Sequence, residues 1–336
     1  MSESILEVRG LTKTFKVPAN KAGKNQLRAL DGIHLDLARG ETLGLVGESG
    51  CGKSTLARTL MMLERPDSGS VTWDGVDPFS LRGKDLLALR RRVQMVFQDP
   101  YASLNSRMSA GEIIAEPWRT HKNLYKSGRD RTARVRELLQ LVGLRASDEN
   151  RYPQEFSGGQ RQRLGIARAL ALNPSVVICD EPVSALDLSV QAQVLNLLGD
   201  LQKQLGISYV FISHDLSVVR HVADRVAVMY LGRIVETGAT DAVFDRPAHP
   251  YTEALMSAAP KLDAASRKHR IILDGEVPSP LNPPSGCRFR TRCAHATDVC
   301  ASTIPPKAVD VREAHHVAEC HHPRGRAELG MPLAVG

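Results

Sequence analysis

Short apolar runs alternate with helical patterns of apolar residues up to about residue 245 of the chain. The runs, which read as buried strands, are Thr42–Val46, Val93–Phe97, Val176–Cys179, Tyr209–Ser213 and Val226–Tyr230. Helical spacing is present at Ser54–Leu63, Thr132–Leu141, Gly159–Leu172 and Val190–Leu205. The alternation predicts layered strands and helices in an α/β fold. The polar stretch Pro18–Gln26 predicts a loop between two early strands.

The composition of the chain changes near residue 260. Residues 260–336 hold 9 of the 19 prolines, 4 of the 6 cysteines and 6 of the 11 histidines. Proline at this density leaves little room for long helices. We therefore predict a first domain over residues 1–259 and a small, loop-rich second one over residues 260–336.

Charge and overall composition exclude several classes of protein. The chain carries a formal charge of +7, is 42% hydrophobic and has only 4% aromatic residues. Intrinsic disorder is excluded, and scarce aromatic residues argue against stacking on nucleic acid. The basic excess suits docking on the cytoplasmic face of a membrane. There is no run of 18 apolar residues and no signal peptide, so we expect a cytoplasmic protein that does not span a membrane.

A phosphate-binding loop is the first chemical motif. Residues 47–55 read GESGCGKST, between a predicted strand and a predicted helix, and fit G-x-x-x-x-G-K-[ST]. Glycines let backbone amides surround phosphate oxygens, and the helix N-terminus favours the anion. Lys53 is expected to reach the β- and γ-phosphates, and the Ser54 hydroxyl to hold Mg²⁺. The other candidate nucleotide-binding residues in the loop are Gly47, Ser49, Gly50, Gly52 and Thr55.

Two further motifs complete a nucleotide site. The strand-like run Val176–Cys179 ends in Asp180 and Glu181, where open α/β sheets bind ligands. Asp180 suits orientation of Mg²⁺, and Glu181 suits a general base for the attacking water. Residues 157–163, SGGQRQR, open a helical run and form a second anion cradle. Two cradles are explained if the second one binds a γ-phosphate held by another chain.

Together these motifs resemble an ATP-binding-cassette (ABC) ATPase, with Phe156 where the signature usually begins with Leu. The resemblance implies a RecA-like α/β core with an antiparallel β subdomain and a helical subdomain over about residues 99–170. It implies adenine stacking on Phe15, a Q-loop Gln98 that contacts Mg²⁺ and water, and a switch His214. It places the signature at Ser157, Gly158, Gly159 and Gln160, and the D-loop at Ser184–Asp187.

A finer resemblance is to the F-type ATPase subunit of bacterial oligopeptide and dipeptide importers. It rests on FQDPYASLNSRMSAGEIIAEP at residues 97–117, HPYTEALMSAAP at 249–260 and GEVPSPLNPPSGCRFRTRC at 275–293. Ser106 departs from the proline usual there. The resemblance implies ATP and Mg²⁺ as cofactors. It also implies a heterodimer with a related ATPase, two permeases and an extracytoplasmic peptide-binding protein at the inner membrane, with no nucleic-acid partner.

Four cysteines of the tail have the spacing C-x5-C-x6-C-x19-C: Cys287, Cys293, Cys300 and Cys320. In a reducing cytoplasm such a set favours metal ligation over disulfides, although the C-x2-C pair typical of zinc is missing. The resemblance implies a 4Fe–4S cluster; zinc and metal-free thiols stay open, with His315 and His316 as alternative ligands. Cys51 and Cys179 are interpreted as structural.

Other functions remain as alternatives at this point. An importer of the same family could carry metal chelates such as nickel, or other small solutes. A soluble ABC ATPase that remodels ribosomes or DNA usually has two cassettes or long coiled coils, and the chain has one cassette and no sustained heptads. An exporter would not be expected to carry the peptide-importer tail, and a regulatory binding module would not need Glu181 and His214.

Overall fold

The computed structural model describes residues 3–18, 26–125, 127–258, 271–273, 275–310 and 313–324. Residues 19–25 of the predicted early loop, and the predicted domain boundary at residues 259 and 260, lie outside these ranges. The chain divides into two compact units. We call the one built mainly from Pro78–Ile212, with Ala38–Glu41, the carboxylate unit. The phosphate-loop unit consists mainly of Ser4–Leu37, Thr42–Asp77 and the described residues after Ile212.

Strands and helices alternate along most of the described chain. The strands are β1 (Ser4–Lys16), β2 (Gln26–Ala38), β3 (Thr42–Val46), β4 (Ser68–Trp73), β5 (Val93–Val96), β6 (Val176–Asp180), β7 (Ser208–Ile212), β8 (Arg225–Tyr230), β9 (Arg233–Ala239), β10 (Lys307–Asp310) and β11 (Glu313–Glu319). The helices are α1 (Lys53–Leu60), α2 (Gly83–Arg92), α3 (Pro100–Ser103), α4 (Ala110–Ala115), α5 (Gly128–Leu141), α6 (Gly158–Leu170), α7 (Leu188–Leu205), α8 (Leu216–Val222), α9 (Thr240–Asp245), α10 (Pro250–Ala258) and α11 (Asp298–Ser302).

The carboxylate unit is built on the parallel strands β5, β6 and β7, with β6 between the other two. The first four residues of β6 are buried, as expected for a parallel strand covered on both faces. Between β5 and β6 the described chain forms helices α3 to α6 and short 3₁₀ turns, with no strand. The end of β6 therefore projects Asp180 and the following Glu181 from a rigid element.

The phosphate-loop unit contains a small sheet in the order β2-β1-β4 and a series of strands in the order β10-β11-β9-β8-β3. β1 and β4 are antiparallel, whereas β3 and β8 are parallel. β9 pairs antiparallel with β8 on one side and with β11 on the other. β9 and β11, which lie on opposite sides of the predicted domain boundary in the sequence, are thus direct neighbours. The tail contributes paired strands as well as loops.

The sequence pattern located these elements closely. All five predicted strands and all four predicted helices are present, with ends displaced by a few residues at most. The helix predicted at Ser54–Leu63 ends earlier, at Leu60, because Met62 adopts a left-handed conformation with φ of 59°. The mixed α/β class is confirmed. Among the described residues, no helix has the length and apolarity required to cross a membrane.

Candidate functional site

The phosphate loop joins β3 to α1 in the phosphate-loop unit. All five residues of β3 are buried, and β3 pairs in parallel with β8 from Leu43 to Val46. The loop that follows begins at Gly47, and α1 begins at Lys53 with Gly52 as its N-cap. Ser49, Gly50 and Ser54 are exposed, and Thr55 is half-buried, so the candidate phosphate and Mg²⁺ contacts are accessible.

Glycine is required at both ends of this loop. Gly47 has φ of 154°, and a Cβ atom there would lie 2.2 Å from the carbonyl oxygen of Met229. Gly52 has φ of 114°, and a Cβ would lie 2.5 Å from the carbonyl oxygen of Ala29. A side chain at either position would require the neighbouring backbone to move. The motif glycines therefore shape the loop by close backbone approach.

Lys53 lies folded against the loop itself. Its residue exposure is 7%, and its Nζ donates to the carbonyl oxygens of Gly47 at 2.6 Å and Glu48 at 3.0 Å. The Cys51 thiol lies 3.8 Å away, and burial raises its pKa. A phosphate bound in the loop would compete with these two carbonyl oxygens for the hydrogen bonds of Lys53 Nζ. Cys51 is buried, which fits the structural role predicted for it.

Two residues of the same unit that no motif predicted also contact the loop. Arg292 forms a bidentate ion pair with Glu48, with N–O distances of 2.8 and 3.1 Å. The hydroxyl of Tyr251 accepts a hydrogen bond from the Glu48 amide at 3.0 Å. These partners are 244 and 203 residues away along the chain, so local spacing carries no signal for them.

The other predicted residues of this unit are at least partly accessible. Phe15 is half-buried on β1, with Lys13 Nζ 5.1 Å from its ring centroid, so it is not a core residue. His214 is exposed directly after Ser213, whose amide donates to the Leu45 carbonyl of β3 at 3.3 Å. The segment that carries His214 is therefore tied to the strand that leads into the phosphate loop.

In the carboxylate unit, the predicted acids follow β6. Asp180 is its last residue, and the Glu181 amide donates to Ile212 of β7 at 2.9 Å. Glu181 has φ of 46°, a conformation that costs energy for a side-chain-bearing residue and is frequent at functional sites. Gln98 Nε2 donates to Glu181 Oε2 at 2.7 Å, although the two lie 83 residues apart. The fold thus brings the predicted Q-loop glutamine onto the predicted general base. Cys179 on β6 is fully buried, and burial raises its pKa.

The signature residues start α6. Ser157 is the N-cap, and a capping box joins it to Gln160 through contacts of 3.0 and 3.3 Å. A Cβ at Gly159 would lie 2.3 Å from Val190 of α7, so close packing of α6 on α7 requires glycine. Phe156, which stands in the usual leucine position, is buried. Ser157 itself is exposed, so this helix N-terminus is open to an anion.

The D-loop residue Asp187 is also exposed. It precedes α7 as its N-cap, yet its side chain makes no capping hydrogen bond. The next residue, Leu188, is 82% exposed.

The four tail cysteines are brought near one another in the phosphate-loop unit. Three of them are buried and Cys293 is half-buried, and all are free thiols. Burial, with a smaller contribution from the neighbouring thiols Cys287, Cys293 and Cys300, raises the pKa of Cys320 to about 12. Within the described residues, no three His, Cys, Asp or Glu side chains form a group that could hold a metal ion, so the geometry does not support the predicted cluster or zinc site. His316 is instead paired with Glu236 at 2.7 Å, and His315 is exposed.

Comparison with known proteins decides the family. A model described as ABC transporter matches residues 30–184, and one described as oligopeptide/dipeptide transporter, C-terminal region, matches residues 235–300. The oligopeptide transport ATP-binding protein AppF of Bacillus subtilis is 50% identical over 95% of this chain and 97% of its own length. The chain is an ABC transporter ATP-binding protein of the oligopeptide/dipeptide family.

Further relatives agree with this ABC ATPase assignment. The dipeptide transport ATP-binding protein DppF of Haemophilus influenzae is 53% identical over 90% of this chain and 92% of its own. A solved ATP-binding cassette, a dimer in a post-hydrolysis state bound to ADP and Pi, superposes with a TM-score of 0.62 at 30% identity. It covers 70% of this ABC ATPase and 98% of the cassette. The ABC-type P-loop NTPase fold expected from the motifs is confirmed.

Proposed function

We propose that this ABC ATPase hydrolyses ATP to power the import of dipeptides or oligopeptides. The observation that carries the proposal is the Gln98–Glu181 hydrogen bond of 2.7 Å in a chain whose tail matches the peptide-transporter region. It brings together two residue types that can hold and activate a water, which supports ATP hydrolysis at this site. Relatives named for oligopeptide and dipeptide transport support the cargo class.

Each site residue is assigned a role in that reaction. The phosphate-loop amides and Lys53 bind the β- and γ-phosphates, while Phe15 stacks on the adenine. Ser54, Gln98 and Asp180 would hold Mg²⁺ directly or through its waters, and the ion would supply positive charge that offsets charge developing on the phosphates. Glu181 accepts the proton of the attacking water, and His214 contacts the γ-phosphate.

The working assembly is proposed to contain a second, related ATPase. The exposed side chains of Ser157, Asp187 and Leu188 support this, because a partner ATPase could cover them. In such a heterodimer the signature of each chain contacts the ATP held by the other. ATP then acts as a ligand that favours the closed dimer, and hydrolysis reopens it.

The remaining partners follow from the transport reaction. Two permease subunits supply the membrane pathway, and an extracytoplasmic binding protein delivers the peptide. The ABC ATPase is placed peripherally, on the cytoplasmic face of the inner membrane. Its formal charge of +7 favours attachment beside anionic lipid headgroups.

The first experiment is an ATPase assay on the membrane complex that co-purifies with this chain, reconstituted in lipid. Addition of the peptide-loaded binding protein is expected to stimulate the rate, and the unloaded protein serves as the control. Stimulation by a nickel chelate or another solute, with no response to peptide, would favour the alternative cargo. Purification without any permease would contradict the transport proposal and favour a soluble ABC ATPase.

We further propose that the four tail cysteines hold a 4Fe–4S cluster. Four neighbouring thiols, mostly buried, match the sulfur ligation that such clusters use, and the C-x2-C pair typical of zinc is missing. Cys287, Cys293, Cys300 and Cys320 would be the ligands, and the bound cluster would cross-link a segment with few core residues. Anaerobically purified protein is expected to contain iron and acid-labile sulfide. Protein with neither would contradict the cluster.

A further inference from the structure

Every polar group of Glu48, the second residue of the phosphate loop, has a hydrogen-bond or ion-pair partner. Its carbonyl oxygen accepts a proton from Lys53 Nζ at 3.0 Å, and its amide donates to the Tyr251 hydroxyl at 3.0 Å. Its carboxylate forms the bidentate pair with Arg292, at 2.8 and 3.1 Å. Only the first of these three contacts comes from within the loop. The other two come from the C-terminal part of the chain.

The pair with Arg292 lies in a protected place. The Arg292 side chain is 7% exposed and that of Glu48 is 27% exposed. Fork-to-fork pairing between guanidinium and carboxylate fixes direction as well as distance. Partial burial also strengthens the attraction, because the pair is screened less by water and salt. The contact therefore differs from an ordinary surface ion pair.

The segment that carries Arg292 is itself rigidly packed. Phe289 is buried, and its ring centroid lies 5.4 Å from those of Tyr230 and Tyr251 and 5.7 Å from that of His249. Aromatic clusters of this kind fix both position and orientation. The packing of Phe289 therefore fixes the backbone from which Arg292, three residues later, reaches Glu48.

The other end of the loop is held from the same segment. Arg288 is buried, and its guanidinium donates to the Leu231 carbonyl and to the Asp31 carboxylate. The next residue along, Gly232, donates its amide to the Cys51 carbonyl of the loop at 2.8 Å. Arg288 therefore fixes the turn between β8 and β9 on which the loop rests.

We propose that Arg292, assisted by Tyr251, is a positioning residue for ATP: it holds Glu48 and neutralises its charge within the phosphate loop. The inference rests on the proposed role of this loop in ATP binding. It assigns to the C-terminal region an indirect part in nucleotide affinity, exerted through Glu48.

The physical reason is electrostatic. Glu48 places a carboxylate in a loop whose purpose is to receive a highly charged anion. Pairing with Arg292 directs that carboxylate toward a cation and offsets its field. Without Arg292, the carboxylate is unpaired and repels the incoming phosphates, and the repulsion grows with the charge of the nucleotide.

The test is a binding cycle on the purified full chain, with MgATP and MgADP as ligands. Arg292→Met is expected to raise the Kd for MgATP about tenfold, and the Kd for MgADP less. The same replacement in a Glu48→Gln background is expected to change the Kd less than about twofold, because no carboxylate is then left unpaired. Arg292→Lys is expected to recover part of the affinity, since it keeps the charge but loses the fork.

The dependence of the Kd on ionic strength distinguishes an electrostatic role of Arg292 from a purely structural one. The ratio of variant to wild-type Kd is expected to shrink between 0.1 M and 1 M KCl, where the Debye length falls from about 10 Å to about 3 Å. Arg290→Gln is the matched control, because Arg290 lies in the same segment and donates to Ser285 instead. Thermal unfolding of each variant shows whether it is folded.

Three results would overturn the inference. A folded Arg292→Met variant with wild-type affinity would show that the pair has no role. A loss that persists fully in the Glu48→Gln background would show that Arg292 acts on the nucleotide directly. A loss equal for MgATP and MgADP and insensitive to salt would indicate packing alone. If the wild-type chain fails to bind MgATP, the proposed function itself fails, which is a distinguishable outcome.

Discussion

At the scale of single residues, the chemistry depends on side chains that the backbone holds in costly conformations. Glu181 has a positive φ of 46°, and its carboxylate is met by Gln98 at 2.7 Å. Gly47 and Gly52 allow backbone approaches that no other residue would tolerate. Glu181 directly follows the buried strand β6, and Gly47 directly follows the buried strand β3.

Glu181→Gln is expected to keep MgATP binding and to lower ATP turnover by at least about 100-fold, because an amide cannot accept the proton of the attacking water. The measurement pairs a nucleotide-binding assay with steady-state ATPase activity of the complex. Glu137→Gln is the control: Glu137 is 64% exposed on α5, and its replacement is expected to leave turnover within about twofold of wild type. Near-normal turnover of Glu181→Gln would reject the general-base role.

At the scale of elements, a buried pair joins the tail to the rest of its unit. His316 on β11 contacts Glu236 on β9 at 2.7 Å, and the two side chains are 2% and 0% exposed. The same carboxylate accepts the amides of Ala248 and His249, which precede α10. One buried acid thus links two strands and the start of a helix.

His316→Phe is expected to destabilise the protein by about 3 kcal/mol, because Glu236 keeps a buried charge with one partner fewer. A comparison is available in the Arg220–Asp245 pair, which has the same 2.7 Å distance but side chains 50% and 56% exposed. Arg220→Gln is expected to cost less than about 1 kcal/mol. Urea unfolding of both variants measures the difference, and equal costs would contradict the role given to burial.

Burial also predicts a pH dependence at His249. Full burial lowers its pKa from 6.5 to about 3, and its neutral Nδ1 accepts the Tyr251 amide at 3.0 Å. Below pH 6.5 the unfolded chain binds a proton that the folded chain does not, so stability is lost as the pH falls from 6.5 toward 3. The loss at pH 5.5 is about 1 kcal/mol.

The His249→Asn variant isolates this contribution, since it keeps an acceptor for the Tyr251 amide and removes the titration. Urea unfolding at pH 7.5 and pH 5.5 is expected to show a smaller loss in the variant than in the wild type. Nearby Glu236 is present in both proteins and cancels in the comparison. An identical loss in both would show that His249 does not titrate in this range.

At the scale of the whole molecule, the signature is intact but faces solvent in a single chain. Ser157 caps α6 in the same way that Ser127 caps α5, with hydroxyl-to-amide distances of 3.3 and 3.0 Å. Each serine therefore stabilises the start of its helix. They differ in that only Ser157 belongs to the proposed contact with a nucleotide held by the partner ATPase.

Ser157→Arg is expected to leave MgATP binding by the isolated chain unchanged and to abolish ATPase activity of the reconstituted complex at the partner's site. Ser127→Arg is the control, since it removes an equivalent cap and is expected to retain that activity. The measurement is ATPase activity of the complex, in which the phosphate loop of the partner ATPase is left unchanged. Retained activity with Ser157→Arg would contradict the composite site.

The sequence by itself determined the elements and the motifs, because both depend on local spacing. Buried strands and amphipathic helices follow from short-range periodicity, and the phosphate loop and signature need glycine, lysine and serine at fixed intervals. These patterns were sufficient for the fold class and the family, and the nucleotide-site residues that they indicate stay predictions.

Only the tertiary structure decided which distant side chains meet. Arg292 and Tyr251 both contact Glu48, Gln98 contacts Glu181, and His316 contacts Glu236. The two residues of each contact lie at least 80 positions apart along the chain. The burial of each contact then sets its strength. Neither the distance between two side chains in space nor their burial can be read from the local spacing of residues in the sequence. The tail that the composition marked as distinct is, for this reason, part of the support of the phosphate loop.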